Sequence, residues 1–205
     1  MFKPKSPDSI LTVPNGITLL RLGVSLTFFI LAIRTGNELY NFIGLGVHWL
    51  GDVLDGFWAR LFKQETIMGA EIDIIADRVE ILFFYVIFLT FHPQLFLPVA
   101  IYVLDFAFVD FYLSYQFIKC GIISPNYFHK VDRRVYRLNY SPGGKFANST
   151  VITLLLIFLP QVWPLTAVLA AALVGVKSYS IRRLHKLGVL DNNIPSTSPI
   201  EARTE

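Results

Sequence analysis

Four aspartates recur at helical spacing inside otherwise apolar sequence. Asp52 and Asp55 lie in Gly51-Asp52-Val53-Leu54-Asp55-Gly56-Phe57-Trp58-Ala59-Arg60, and Asp73 and Asp77 in Gly69-Ala70-Glu71-Ile72-Asp73-Ile74-Ile75-Ala76-Asp77-Arg78. An unpaired carboxylate is costly in hydrocarbon, so acids repeated on this rhythm need cations, water or a reaction to justify them. The donors are all oxygen: only His48 is nearby, and the chain has a single cysteine, Cys120. That donor set favours magnesium or manganese over zinc. Four acids exceed what one magnesium takes from protein when it keeps water or phosphate in its shell, so two ions are expected.

The spacing also describes the surface around the acids. Asp52, Asp55, Gly56 and Ala59 follow i, i+3, i+4, i+7 and share one helix face, as do Gly69, Asp73 and Asp77 at i, i+4, i+8. Small residues beside the carboxylates let a bulky planar group, or a neighbouring helix, approach the backbone. Arg60 stands at the edge of the first stripe. The short link Gln64-Glu65-Thr66-Ile67-Met68 predicts an antiparallel hairpin in which 52 faces 77, 55 faces 73 and 60 faces 69. By helical rise, Asp52 lies roughly 16 Å and Asp55 roughly 12 Å from the boundary at Lys63, in the cytoplasmic half of a membrane.

A membrane setting follows from composition. The 205 residues are 54% hydrophobic, with a mean hydropathy of +0.53. Apolar stretches of spanning length fall at about 16–35, 39–62, 69–91, 95–118, 144–160 and 163–186. They predict an all-α integral membrane protein with six transmembrane helices. The first stretch lacks a small-residue cleavage site and reads as a retained span. Cytoplasmic N- and C-termini place Lys3, Lys5, Lys63, Lys119, Lys130, Arg133, Arg134, Arg137, Arg182, Arg183 and Lys186 inside and only Arg34 outside. The net charge of +3 then describes a basic cytoplasmic rim, suited to anionic headgroups or phosphorylated substrates and not to nucleic acid.

Residues 1–190 read as a single domain and 191–205 as a disordered tail rich in Pro, Ser, Thr and Glu. The connection 119–143 reads as one ordered cytoplasmic loop or short surface helix. Cys120 excludes an intrachain disulfide. Asp105 and Asp110 suit structural hydrogen bonding, and His48 a packed core histidine. Glu80 suits either support of the acids or pairing with Arg78.

Written out, the hairpin is Asp52-x2-Asp55-Gly56-x2-Ala59-Arg60-x8-Gly69-x3-Asp73-x3-Asp77. It resembles the full signature of the CDP-alcohol phosphatidyltransferase family, with no motif position departing from it. The resemblance implies enzymes of phospholipid biosynthesis that move a phosphatidyl or similar group from a CDP-linked donor such as CDP-diacylglycerol to an acceptor hydroxyl, releasing CMP. It implies that Asp52, Asp55, Asp73 and Asp77 hold two divalent ions, Mg2+ or Mn2+, that Asp77 is also the general base, and that Gly56, Ala59, Arg60 and Gly69 surround the CDP moiety. It further implies a homodimer.

Val13-Pro14-Asn15-Gly16-Ile17-Thr18-Leu19-Leu20-Arg21 resembles the family's entry to the first helix, which adds Asn15, Thr18 and Arg21 to the donor-binding set. Otherwise Asn15 caps the helix and Arg21 snorkels to the interface. Arg78, Arg133, Arg134, Arg137 and Lys145 form a candidate anion pocket for a small phosphorylated polyol acceptor, although topology alone also concentrates such residues there. The chain looks most like the bacterial phosphatidylglycerophosphate synthase branch, which implies glycerol 3-phosphate as acceptor and a bacterial inner membrane with the active site facing the cytoplasm. Inositol phosphate or phosphatidylglycerol remain alternative acceptors. A divalent metal-ion transporter is the alternative of another class, although it would not require Gly56, Ala59, Arg60 and Gly69.

Overall fold

The structure, a computed structural model, describes residues 9–188, and no strand occurs among them. The tail expected at 191–205, together with Lys3 and Lys5, lies outside the described residues. Helix α1 (Val13–Thr35) starts earlier than hydropathy suggests, because the Thr12 hydroxyl caps it by accepting the Asn15 N–H and Pro14 suits its first turn. Asn15 is therefore not the cap. The helix stops at Gly36, whose φ of 64° is left-handed. Asn37 caps α2 (Glu38–Leu61), and Thr66 caps α3 (Ile67–Phe91) by accepting the Gly69 N–H. These caps and the short link between them make the acidic hairpin.

Beyond it, α4 (Phe96–Leu104) passes through a π-helical segment, Asp105–Asp110, into α5 (Phe111–Lys119). The connecting loop is ordered, with a 3-10 turn at Pro125–Lys130, the short α6 (Arg133–Val135) and a π-helical segment at Tyr136–Tyr140. A third π-helical segment, Phe146–Thr150, joins α7 (Pro142–Lys145) to α8 (Val151–Phe158), and α9 (Trp163–Lys186) closes the described chain. Among the described residues, three helical runs are long and apolar enough to cross a membrane: Val13–Thr35, Pro93–Lys119 and Pro160–Lys186. The other three apolar stretches are helical too, as α2, α3 and the run of α7 and α8.

Between helices in hydrocarbon, close approach rests on small residues and shape. A Cβ on Gly44 would lie 2.4 Å from Phe29 Cε1, and one on Gly51 would lie 2.3 Å from Arg21 Cδ. These two glycines, seven residues apart on α2, let α1 close on it, and Gly51 opens the slot through which Arg21 reaches the acids. One apolar cluster, including Phe29, Phe84, Tyr85, Phe88 and Tyr102, packs the end of the bundle away from the hairpin tip. A second, including Leu113, Phe117, Phe128, Val135 and Leu184, seats the 119–143 loop. Tyr127 ties that loop to the tip by donating to Glu65 at 2.6 Å. The bond to the Glu65 carboxylate pushes the Tyr127 hydroxyl up to about 12.

Candidate active site

The hairpin and α1 enclose one end of a cavity of about 460 Å3, lined by Asp52, Asp55, Asp73 and Asp77 together with Asn15, Thr18, Gly56, Ala59, Arg60 and Gly69. The acids differ in depth. The side chains of Asp52 and Asp73 are 49% and 36% exposed and those of Asp77 and Asp55 24% and 5%, so the first two face the cavity and Asp55 lies beneath them. Thr18 holds Asp55 by donating to Oδ2 at 2.8 Å. Carboxylate oxygens of Asp52, Asp55 and Asp73 lie within 4.8 Å of one another.

Arg21 is the centre of the cluster. It is buried, with Nη2 at 2.8 Å from Asp77 and 3.4 Å from Asp73, Nη1 at 3.6 Å from Asp55 and 3.8 Å from Asp52, and Nε at 3.2 Å from Glu80. It does not snorkel. One guanidinium thus stands among the four aspartates, where like charges gathered together need a counter-charge. Glu80 is fully buried and bonds His48 Nδ1 at 2.9 Å, so it supports Arg21 and His48 and is not the partner of Arg78.

The donor set can be tested against a divalent ion. Five carboxylates face a single guanidinium, so the cluster gathers more acid than the one arginine can balance, a surplus that suits divalent cations. The all-oxygen triad of Asp52, Asp55 and Asp73 suits a hard cation such as Mg2+ or Mn2+. A second possible group is His48, Asp77 and Glu80, within which Arg21 contacts both acids. The residues fit the group.

A separate charged network borders the other end of the cavity. Arg78 donates to Asp110 Oδ2 at 2.5 Å, with its guanidinium 4.0 Å above the Phe106 ring. Lys177, 1% exposed, ion-pairs with both Asp105 and Asp110. Residue i+5 lies about 140° away from residue i on an α-helix but stacks over it in a π-helical turn, so the π segment is what turns both acids toward one lysine. Asp105 and Asp110 are thus ion-paired inside the bundle, and Asp110 also lines the cavity. The other two π segments also contribute to the wall, through Asn139, Tyr140, Asn148, Ser149 and Thr150.

Of the five basic residues expected around an acceptor, Arg78 and Lys145 line this cavity, whereas Arg133, Arg134 and Arg137 are exposed and do not. Asp132 caps α6 and ties it to α9 by accepting from Arg183 Nε at 2.7 Å. Gly69 has its small size explained by Asn15: a Cβ there would lie 2.7 Å from Asn15 Oδ1. At Gly56 a Cβ would meet only the movable tip of Arg60, at 3.1 Å, so its face of the cavity is open. Sequence reasoning missed Lys177 and Gly51. A lysine in the last long apolar stretch was a signal of the first, while nothing local announces the second.

A family model described as CDP-alcohol phosphatidyltransferase matches residues 11–178. No curated protein and no solved structure matches the chain. The match takes in most of the chain, including α1, the acidic hairpin and both ends of the cavity. The chain belongs to the CDP-alcohol phosphatidyltransferase family, enzymes that transfer substituted phosphate groups.

Proposed function

We propose that this chain transfers a phosphatidyl group from CDP-diacylglycerol to glycerol 3-phosphate, as the bacterial phosphatidylglycerophosphate synthase branch does. The observation that carries the reading is the convergence of four aspartates at the wall of a cavity whose nearby residues include the small Gly56 and Ala59. In this reading Asp52, Asp55, Asp73 and Asp77 hold two divalent ions, Mg2+ or Mn2+. When bound, such ions neutralise charge on the pyrophosphate as its bridging bond breaks. Thr18 keeps Asp55 oriented, and Arg21 holds the acids together.

Asp77 takes the proton of the acceptor hydroxyl, whose oxygen forms a bond to the phosphorus bearing the diacylglycerol. The bond from that phosphorus to the bridging oxygen breaks, and the electron pair leaves with CMP. Asn15, Gly56, Ala59, Arg60 and Gly69 surround the nucleotide. Arg78 and Lys145, both at the cavity, are the groups available to an acceptor phosphate.

The same reading has six membrane spans, with both termini and the site on the cytoplasmic side of a bacterial inner membrane and residues 1–190 as one domain. Its support is the set of six helical runs and the bias of Lys and Arg toward alternate connections. A homodimer through α3 and the run of α4 and α5 is supported by exposed Phe83, Val86, Phe96 and Phe108.

The experiment is CMP release from CDP-diacylglycerol by purified protein with magnesium and a panel of acceptors. Release dependent on glycerol 3-phosphate supports the reading. Release dependent on inositol phosphate or phosphatidylglycerol replaces the acceptor, and no release with any of them refutes the donor.

A further inference from the structure

The hairpin-tip end of the cavity carries two polar side chains whose oxygens no described residue satisfies. Gln64 is 3% exposed and Ser124 8%, so each is more than nine-tenths buried, and both line the cavity. Gln64 Oε1 and Ser124 Oγ have no hydrogen-bond partner among the described residues. Buried polar atoms are paired in the great majority of proteins, so two unpaired oxygens on one cavity point to a ligand with complementary groups.

Their place selects the part of the ligand. Gln64 follows α2 directly, its N–H held by the Ala59 carbonyl at 2.8 Å, and it stands nine residues past Asp55. Ser124 precedes the 3-10 turn at Pro125–Lys130 in the loop tied to the hairpin tip. The aspartates mark the reacting phosphate deeper in the bundle, so the far, water-facing end of the donor lies at Gln64 and Ser124. In a CDP-linked donor that end is the base.

Cytosine presents an amino donor beside a ring-nitrogen acceptor, and a primary amide is complementary to both: its oxygen accepts from the amino group and its nitrogen donates to the ring. A serine hydroxyl can donate to the carbonyl oxygen that remains on that edge. We propose that Gln64 and Ser124, neither of them in the acidic signature, bind the cytosine base and set the enzyme's affinity for its donor. This rests on the CDP-alcohol reading of the site.

The test uses full-length protein in lipid nanodiscs, with CDP-diacylglycerol, magnesium and the acceptor that supports turnover. CMP and ribose 5-phosphate serve as competing inhibitors. Gln64→Leu should weaken inhibition by CMP about tenfold and raise KM for the donor to a similar degree, with kcat within about twofold. Inhibition by ribose 5-phosphate, which has no base, should not change. Ser124→Ala removes a single oxygen, should shift CMP in the same direction by about threefold, and carries the test if Gln64→Leu fails to fold. CMP inhibition that stays at the wild-type level in the folded variants overturns the proposal. So does equal weakening of CMP and ribose 5-phosphate, which would mark a displaced hairpin tip. Wild-type protein that releases no CMP fails the underlying reading instead, and shows this before any variant is made.

Discussion

Arg21 Nη2 on α1 lies 2.8 Å from Asp77 Oδ1 on α3, across 56 positions of sequence. This contact makes the first helix part of the acidic site. It also gives the four aspartates a counter-charge that belongs to the protein itself.

Removing that counter-charge should expose what it does. Arg21→Ala leaves five carboxylates without their guanidinium, and loss of one member of a buried ionic group costs about 3 kcal/mol or more. Unfolding temperature in chelator should therefore fall well below wild type, and magnesium should restore much of the difference. Equal unfolding of variant and wild type in chelator would deny Arg21 this role.

The metal dependence has its own signature. Asp52→Asn, Asp55→Asn and Asp73→Asn each remove charge at nearly constant volume, so transfer should be lost while the protein stays folded. Excess chelator should abolish wild-type activity, and magnesium or manganese should restore it. Near wild-type turnover by Asp55→Asn would rule out the triad as a metal site.

The hairpin was legible because carboxylates are expensive in hydrocarbon and because the link 64–68 is too short for anything but a turn back. Arg21 at the centre was not legible. Its reach depends on a slot at Gly51, and a glycine in an apolar helix says nothing by itself about which helix fills its space. The coupling of Asp105 and Asp110 through Lys177 was equally hidden: five residues apart, they point to different faces under the α-helical period, and only the π segment aligns them. The basic loop misled in part: a run of arginines fits an exposed loop as well as a pocket, and Arg133, Arg134 and Arg137 are exposed without lining the cavity.

Space beside the acids should govern donor affinity. Ala59 lines the cavity, and the Gly56 face one turn away is open. Ala59→Leu should fill part of this volume, raising KM for CDP-diacylglycerol more than it lowers kcat. Labelled donor binding the variant as tightly as wild type would assign Ala59 to helix packing instead.

Asp132 supplies a pH test away from the site. Burial alone would raise its carboxyl, but the Val135 N–H, the Arg183 guanidinium and the Arg134 N–H outweigh burial and hold it below its ordinary value. A lowered native pKa means stability fully present above the unfolded value, about 4, and lost as pH falls through the native one. Asparagine caps a helix as well as aspartate does, so Asp132→Asn isolates the charge. Wild type should unfold at a higher temperature than Asp132→Asn at pH 6, and the gap should shrink as pH falls below about 4. A gap that is constant with pH would show that Arg183 adds nothing.

Asp77 gives the sharpest test of mechanism, because its position is ambiguous between two tasks. It neighbours the triad of Asp52, Asp55 and Asp73, yet its closest partner is Arg21 and His48 Nδ1 lies 3.9 Å away. The Arg21 guanidinium fixes where this carboxylate points, and a general base needs such an orientation before the acceptor arrives. If Asp77 is chiefly the base, Asp77→Asn keeps the volume and leaves the other three acids in place, so donor binding should survive while kcat falls about 100-fold or more. If it is chiefly a ligand, donor binding and metal occupancy should collapse together. Donor affinity and single-turnover rates on the same preparation separate the two. An unchanged kcat would remove Asp77 from the proton transfer altogether and leave Glu80, already engaged by Arg21 and His48, as the next carboxylate to examine.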